Sequence, residues 1–262
     1  MIDPLNPQLA TRGGAPARAG DDLVPTLRLR RVTRRRRRGG VALFGVALRL
    51  DVSWVFGLGL AAWTFADAVL PLDVPDRTPA AYTLAGSVAA LLVLGSLALH
   101  EAGHWLVARR AGLPVTRLAL SLVGGTLELG AAPRTAKSEL RIALAGPLVS
   151  LLTAVLAAIA HIVLVESNAD PLTASVAAVV AVANLAVAVL NLLPGLPLDG
   201  GRVLKAAVWS ATDDEARATR VAATGGRLLA GALLTLAVIA SASGDAAAAI
   251  WSGALGLTLL RR

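Results

Sequence analysis

Long stretches that are almost free of charge constrain this chain more than any other feature. A helix needs about 20 predominantly apolar residues to cross the hydrocarbon core of a bilayer. The 262-residue chain offers several such stretches. Val52–Leu72 carries only Asp67, near its end. Thr78–Leu99 is uncharged and runs on through His100 to Ala108. Ile142–Val165 is apolar apart from His161. Pro171–Leu198 is uncharged, with Pro194, Gly195 and Pro197 breaking its end. Leu228–Gly244 is shorter and is extended backwards by Val221–Gly226, and Ala246–Leu260 is the weakest. These runs predict an all-α polytopic membrane protein with about six transmembrane helices. Composition agrees, since 16% of residues are charged and 56% hydrophobic, against roughly 25% charged in soluble domains.

The net charge of +8 has a location. Residues 1–49 hold eleven arginines against Asp3, Asp21 and Asp22, and the remainder of the chain balances to zero. No aromatic residue interleaves these arginines, so nucleic acid is excluded as a partner. A basic run beside an apolar segment is a topology signal that also suits anionic lipid. Two regions follow: a disordered basic cytosolic tail over 1–49 and a transmembrane domain over 50–262. The apolar stretch after the tail is too long, and lacks the cleavage site, for a signal peptide. With a cytosolic N-terminus and six spans, one cytosolic loop holds Arg109, Arg110, Arg117, Arg134, Lys137 and Arg141. A second holds Arg202, Lys205, Arg217, Arg220 and Arg227, and the outer loops hold only Arg77. The positive-inside rule thus puts both termini in the cytosol. Alanine- and arginine-rich, lysine-poor usage suggests a GC-rich bacterial genome and hence the plasma membrane.

Thr116 to Leu129 reads differently. Leu118, Leu120 and Leu122 alternate, Gly124-Gly125 interrupts, and Leu127 and Leu129 alternate again. A period of two around paired glycines predicts a small β-hairpin or re-entrant β ribbon, with an interfacial loop as the alternative.

The second apolar run contains His100-Glu101-Ala102-Gly103-His104, the pattern H-E-x-x-H. Residues four apart share a helix face, so both imidazoles can reach one metal ion. Glu101 stands beside that site and can take a proton from water. The absence of cysteine leaves only histidine and carboxylate ligands. Two histidines and a glutamate inside a spanning helix are expensive in lipid and mark a functional site. A third protein ligand is required. His161 is a candidate, but it lies near the opposite end of its span. Asp199, in the Pro/Gly-broken stretch Asn191–Arg202, falls near the same membrane face as the histidines and fits better.

The pairing of "HEAGHW" on one span with "NLLPGLPLDGGR" after a later one resembles the site-2 protease family of intramembrane metalloproteases. The resemblance covers roughly residues 50–260. The Gly124-Gly125 ribbon looks like that family's membrane-associated β element, and Ala145-Gly146-Pro147-Leu148 like its Gly-Pro helix. The resemblance implies one Zn2+ per chain, held by His100, His104 and Asp199, with Glu101 as general base. It implies hydrolysis of a peptide bond in or near the transmembrane segment of a membrane-anchored protein, that is, regulated intramembrane proteolysis. Asn184, Asn191, Gly124 and Gly125 are the candidate substrate-binding residues. Neither an inserted peptide-binding domain nor an appended nucleotide-sensing domain is expected, so a regulatory membrane protein is a candidate partner. The competing readings are a membrane metal transporter, which would not need Glu101, and a non-catalytic membrane scaffold.

Overall fold

The computed structural model describes residues 41–43, 46–50, 53–121 and 124–260. The expected basic tail therefore lies outside the described residues up to position 40. Beyond that, β1 (Val41–Leu43) and β2 (Val46–Leu50) fall within or at the edge of the segment assigned to the tail. They form an antiparallel pair, and β2 runs parallel to β3 (Val115–Ser121) with Leu48 opposite Leu118. β3 pairs antiparallel with β4 (Gly124–Leu129), so the four strands lie in chain order and β4 is an edge. The paired glycines open β4, Gly124 opposite Ser121 and Gly125 opposite Leu120.

Helices make up the rest. The first crossing segment, Trp54–Asp73, is assembled from α1 (Ser53–Trp63), a π-helical turn (Thr64–Val69) and α2 (Leu70–Asp73). α3 (Pro79–Arg110) follows, then α4 (Ala136–Glu166), α5 (Pro171–Asn191), the short α6 (Asp199–Thr212), α7 (Glu215–Ala242) and α8 (Ala246–Leu260). Their starts are set by side chains that accept the free N–H groups of a first turn. Thr78 accepts from Ala81, Thr135 from Ser138, Asp170 from Thr173 and Asp214 from Arg217. Proline at the start of α3 and α5 adds a preset φ.

Five of these helices are long and apolar enough to cross a membrane. The sixth expected span, α8, has 15 residues, about 22 Å at 1.5 Å per residue, against a core of about 30 Å. The fourth expected span is shorter than its apolar run: α5 stops at Asn191, and 192–198 form turns before α6. There the backbone folds back on itself so closely that a Cβ on Gly201 would collide with the backbone of Gly195 and Leu196.

Packing is that of a membrane bundle, with small and polar residues inside and large apolar ones outside. On α4, Ala143, Gly146, Ser150 and Ala154 are buried, whereas Leu148, Leu152, Leu156 and Ile159 are exposed. α4 is the central helix, packed against α3, α5 and α6, while α7 packs on α6 and α8. A cluster of Leu70, Ala89, Leu172, Val176 and Val179 joins the first crossing segment to α3 and α5.

Candidate metal centre

α3 is helical through its whole length, so His100 and His104 stand one above the other and Glu101 lies beside them. All three are buried. Across from them stands Asp199, the first residue of α6 and 8% exposed. A carboxylate at a helix N-terminus faces unpaired N–H groups that favour its charge. The turns that deliver it are tied to α7: Leu196 N–H donates to the Ala222 carbonyl at 3.0 Å. Gly226 lets α7 approach, since a Cβ there would strike the Leu196 carbonyl.

The three donor groups converge on one small space. His100 Nε2 and His104 Nε2 each lie 3.1 Å from Asp199 Oδ2, and 3.2 Å from each other. Ligands about 2.0–2.1 Å from a tetrahedral ion stand about 3.3–3.4 Å apart, so the triangle matches one shared divalent ion to within a few tenths of an ångström. Glu101 offers a carboxylate oxygen within 4.8 Å of the ring nitrogens, near enough to serve a water there but outside the tight triangle. Burial raises the cost of charge on Asp199, yet its contacts with His100 and His104 hold the carboxyl down at about 2.

The far side of each ring is fixed from α4. His104 Nδ1 meets the Ile142 carbonyl at 2.7 Å. A carbonyl only accepts, so Nδ1 donates, and in the neutral ring Nε2 keeps its lone pair for the triangle. His100 Nδ1 meets the Ser150 hydroxyl at 2.8 Å. Without a cation, the contact between His104 Nε2 and the carboxylate needs a second proton on that ring; with one, no extra proton is needed. Between the two anchors, Gly146 supplies the room. A Cβ there would overlap both Nε2 atoms. Ile142, Gly146 and Ser150 are spaced i, i+4, i+8, one stripe of α4 serving one site.

Not every expected site residue gathers here. Asn184 is buried on α5, its Nδ2 donating to the Val180 carbonyl at 2.9 Å and its Oδ1 without a partner among the described residues. Asn191 ends α5, donates to Val187 O at 2.9 Å, and lines an apolar cavity of about 210 Å³ with Leu97, Leu198, Trp54 and Trp251. Leu97 is one turn before His100, and Leu198 precedes Asp199, so this cavity adjoins the triangle. Gly124 and Gly125 are in β4, a strand against which α3 packs. His161 instead binds the Ala174 carbonyl at 2.8 Å. It stands eleven residues beyond Ser150, about 16 Å along α4. Ile142 and Ser150 were missed in the sequence. A signal for Ser150 was present, as the one serine in the apolar run 142–165, one helical turn after Gly146.

Fold and site together define a polytopic membrane protein of metallopeptidase type, with an H-E-x-x-H helix and a distant aspartate closing one metal-sized space. The chain belongs to peptidase family M50, whose model matches residues 88–173 and 160–234. It is 38% identical over 208 residues to the putative zinc metalloprotease Rip3 of Mycobacterium tuberculosis, a match covering 79% of this chain and 51% of that protein. It is 33% identical over 186 residues to the putative zinc metalloprotease sll0528 of Synechocystis, covering 71% and 48%. The chain thus spans about half the length of the curated relatives it matches. Its fold resembles the site-2 protease from Methanocaldococcus jannaschii, with a TM-score of 0.59 and 24% identity over 84% of this chain and 92% of that one.

Proposed function

We propose that this chain is an intramembrane zinc endopeptidase acting on a membrane-anchored protein. The observation that carries the reading is the triangle of His100, His104 and Asp199 at 3.1–3.2 Å with Glu101 beside it. A zinc ion held by those three would polarise the scissile carbonyl and acidify a water. Glu101 takes the proton from that water and passes it to the leaving amine nitrogen, so the peptide bond is exchanged for a carboxyl and an amine. The Ile142 carbonyl holds the His104 ring with its Nε2 lone pair on the triangle, and the Ser150 hydroxyl, by accepting from Nδ1, would hold His100 in the same way.

The substrate helix has to unwind before its carbonyls are accessible. β4 is an edge strand beside α3, and its leading glycines, Gly124 and Gly125, leave the edge unencumbered for strand addition. In this reading β3 and β4 form a re-entrant ribbon, and proline at substrate-facing β4 positions slows cleavage while zinc stays bound. Asn191, in the wall of the apolar cavity, and Asn184, with its unpartnered Oδ1, are the amides proposed to hold the substrate backbone. The finer topology belongs to the same proposal: residues 50–262 form the protease domain in a bacterial plasma membrane, α8 completes a sixth, tilted crossing, and both termini are cytosolic. A regulatory membrane protein is proposed as a further partner.

The test is zinc content and cleavage of a membrane-anchored model substrate, using purified protein in detergent. Near-stoichiometric zinc is expected in wild type and Glu101→Gln, with cleavage at least about 100-fold slower in the latter. Asp199→Ala is expected to lose zinc. Retention of zinc without Asp199, or full cleavage without the Glu101 carboxylate, overturns the proposal. Metal movement into proteoliposomes without cleavage points to the transporter instead.

A further inference from the structure

Behind the turns that lead to Asp199 lies a second cavity, lined by none of the triangle's residues. Its volume is about 700 Å³ and it opens between α4, α6, α7 and α8. Three cations line it: Arg202, Lys205 and Arg227. Two are already engaged, Arg202 with the buried Glu139 at 2.8 Å and Lys205 with Glu215 at 2.8 Å. Arg227 makes no hydrogen bond or ion pair among the described residues. The rest of the lining is Glu139, whose carboxylate Arg202 holds, Thr219, and the apolar Leu196, Pro197, Ala223, Leu259 and Leu260.

The level of this cavity can be read from the two antiparallel helices beside it. On α7, Arg227 is the last charge before the uncharged run Leu228–Gly244. On α8, Leu259 and Leu260 end an uncharged helix that the sequence follows with Arg261 and Arg262. Both helices therefore change from apolar to basic beside the cavity, as helices do where hydrocarbon meets headgroups. An unpaired guanidinium at that level, over apolar walls, matches an amphiphile with one negative charge. A bare phosphate would leave the apolar walls and most of the volume unused.

We propose that this cavity is a specific site for an anionic phospholipid, its phosphodiester held by Arg227 with Arg202 beside it, and its upper acyl chains lying along Leu196, Leu259 and Leu260. Arginine suits the role because its planar fork binds phosphate oxygens in pairs. Basic pockets between membrane helices are general sites for such headgroups.

Binding is measured by native mass spectrometry of the full chain in detergent. The probes are phosphatidylglycerol and phosphatidylcholine with identical acyl chains. Wild type is expected to retain phosphatidylglycerol in preference to phosphatidylcholine. Arg227→Ala is expected to weaken phosphatidylglycerol about fivefold, and Arg227→Lys to restore part of the loss. Arg227 is exposed, so the substitution leaves folding intact, and circular dichroism checks this. Arg220→Ala, on the same helix but outside the cavity's lining, is expected to bind as wild type does. Equal retention of the two lipids, no loss in Arg227→Ala, or an equal loss in Arg220→Ala overturns the proposal. Displacement of the lipid by millimolar inorganic phosphate overturns the lipid assignment in favour of free phosphate.

Discussion

Gly146→Ala adds one methyl group to the most crowded point of the site. The new Cβ would overlap His100 Nε2 and His104 Nε2 and stand 2.6 Å from His100 Cδ2. Non-bonded heavy atoms come to rest about 3.5 Å apart, so about 1 Å of relief is needed. Three routes could give it, and each carries a cost. The rings are pinned at their far nitrogens by Ile142 and Ser150, which lie on the same helix as the added methyl. α4 cannot back away without dragging those anchors with it. Nor can α3 shift sideways at no cost, since at Gly103 the helices are so close that a Cβ would lie 2.8 Å from Val149 Cγ2 and 2.9 Å from the Ala145 carbonyl. The relief comes from the ligands themselves. Displacing the supports of a metal ligand weakens affinity by about 10–100-fold; with both rings moved, we expect about 100-fold, which is about 2.8 kcal/mol. The assay is competition between the detergent-solubilised protein and a chelator of known zinc affinity, read by elemental analysis. Gly95→Ala is the control: it sits on the same helix as the histidines, and its Cβ meets nothing within 4 Å. Wild-type zinc affinity is expected there, with helix stability unchanged or raised by up to about 1 kcal/mol. A Gly146→Ala protein that held zinc as tightly as wild type would refute the idea that the α4 stripe shapes the site.

Ser150→Ala removes the His100 Nδ1 partner without adding volume, and metal affinity is expected to fall by about 10-fold or more, with the helical content of the circular dichroism spectrum unchanged. Arg202→Ala leaves the Glu139 carboxylate buried and unpaired; because Arg202 is itself 21% exposed, we expect the low end of the buried-pair range, about 3 kcal/mol, measured by denaturant or thermal unfolding. Glu139→Leu combined with Arg202→Met is expected to recover most of that loss. The Arg77–Asp170 pair, 2.7 Å long, caps α5 at its start. Desolvation opposes its charge, yet the Thr173 N–H and the Arg77 guanidinium together hold the Asp170 carboxyl below its ordinary 3.8. A depressed carboxylate stabilises the fold fully above its unfolded value and loses that contribution as pH falls through the folded one. The stability gap between wild type and Arg77→Ala is therefore expected to be constant at neutral pH and to close below about pH 3.8. A gap that widened on acidification would contradict this.

The sequence alone determined the class of fold and the composition of the centre. Apolar runs of spanning length have few folded alternatives, because lipid offers no partner for an unpaired backbone group. H-E-x-x-H on a helix fixes the facing of its histidines by helical period alone. Asp199 was legible because prolines and glycines had to break an apolar segment near the same face. Tertiary structure decided what depends on distance between segments. It ended α5 at Asn191, short of the end of its apolar run, because turn and loop boundaries follow from packing more than from hydropathy. It also showed that α4 holds both rings and leaves room between them at Gly146. No local pattern shows that Ser150 lies 2.8 Å from a ring fifty residues earlier. Hydropathy reports how a residue is solvated, whereas a site is made of contacts that exist only after the helices have packed.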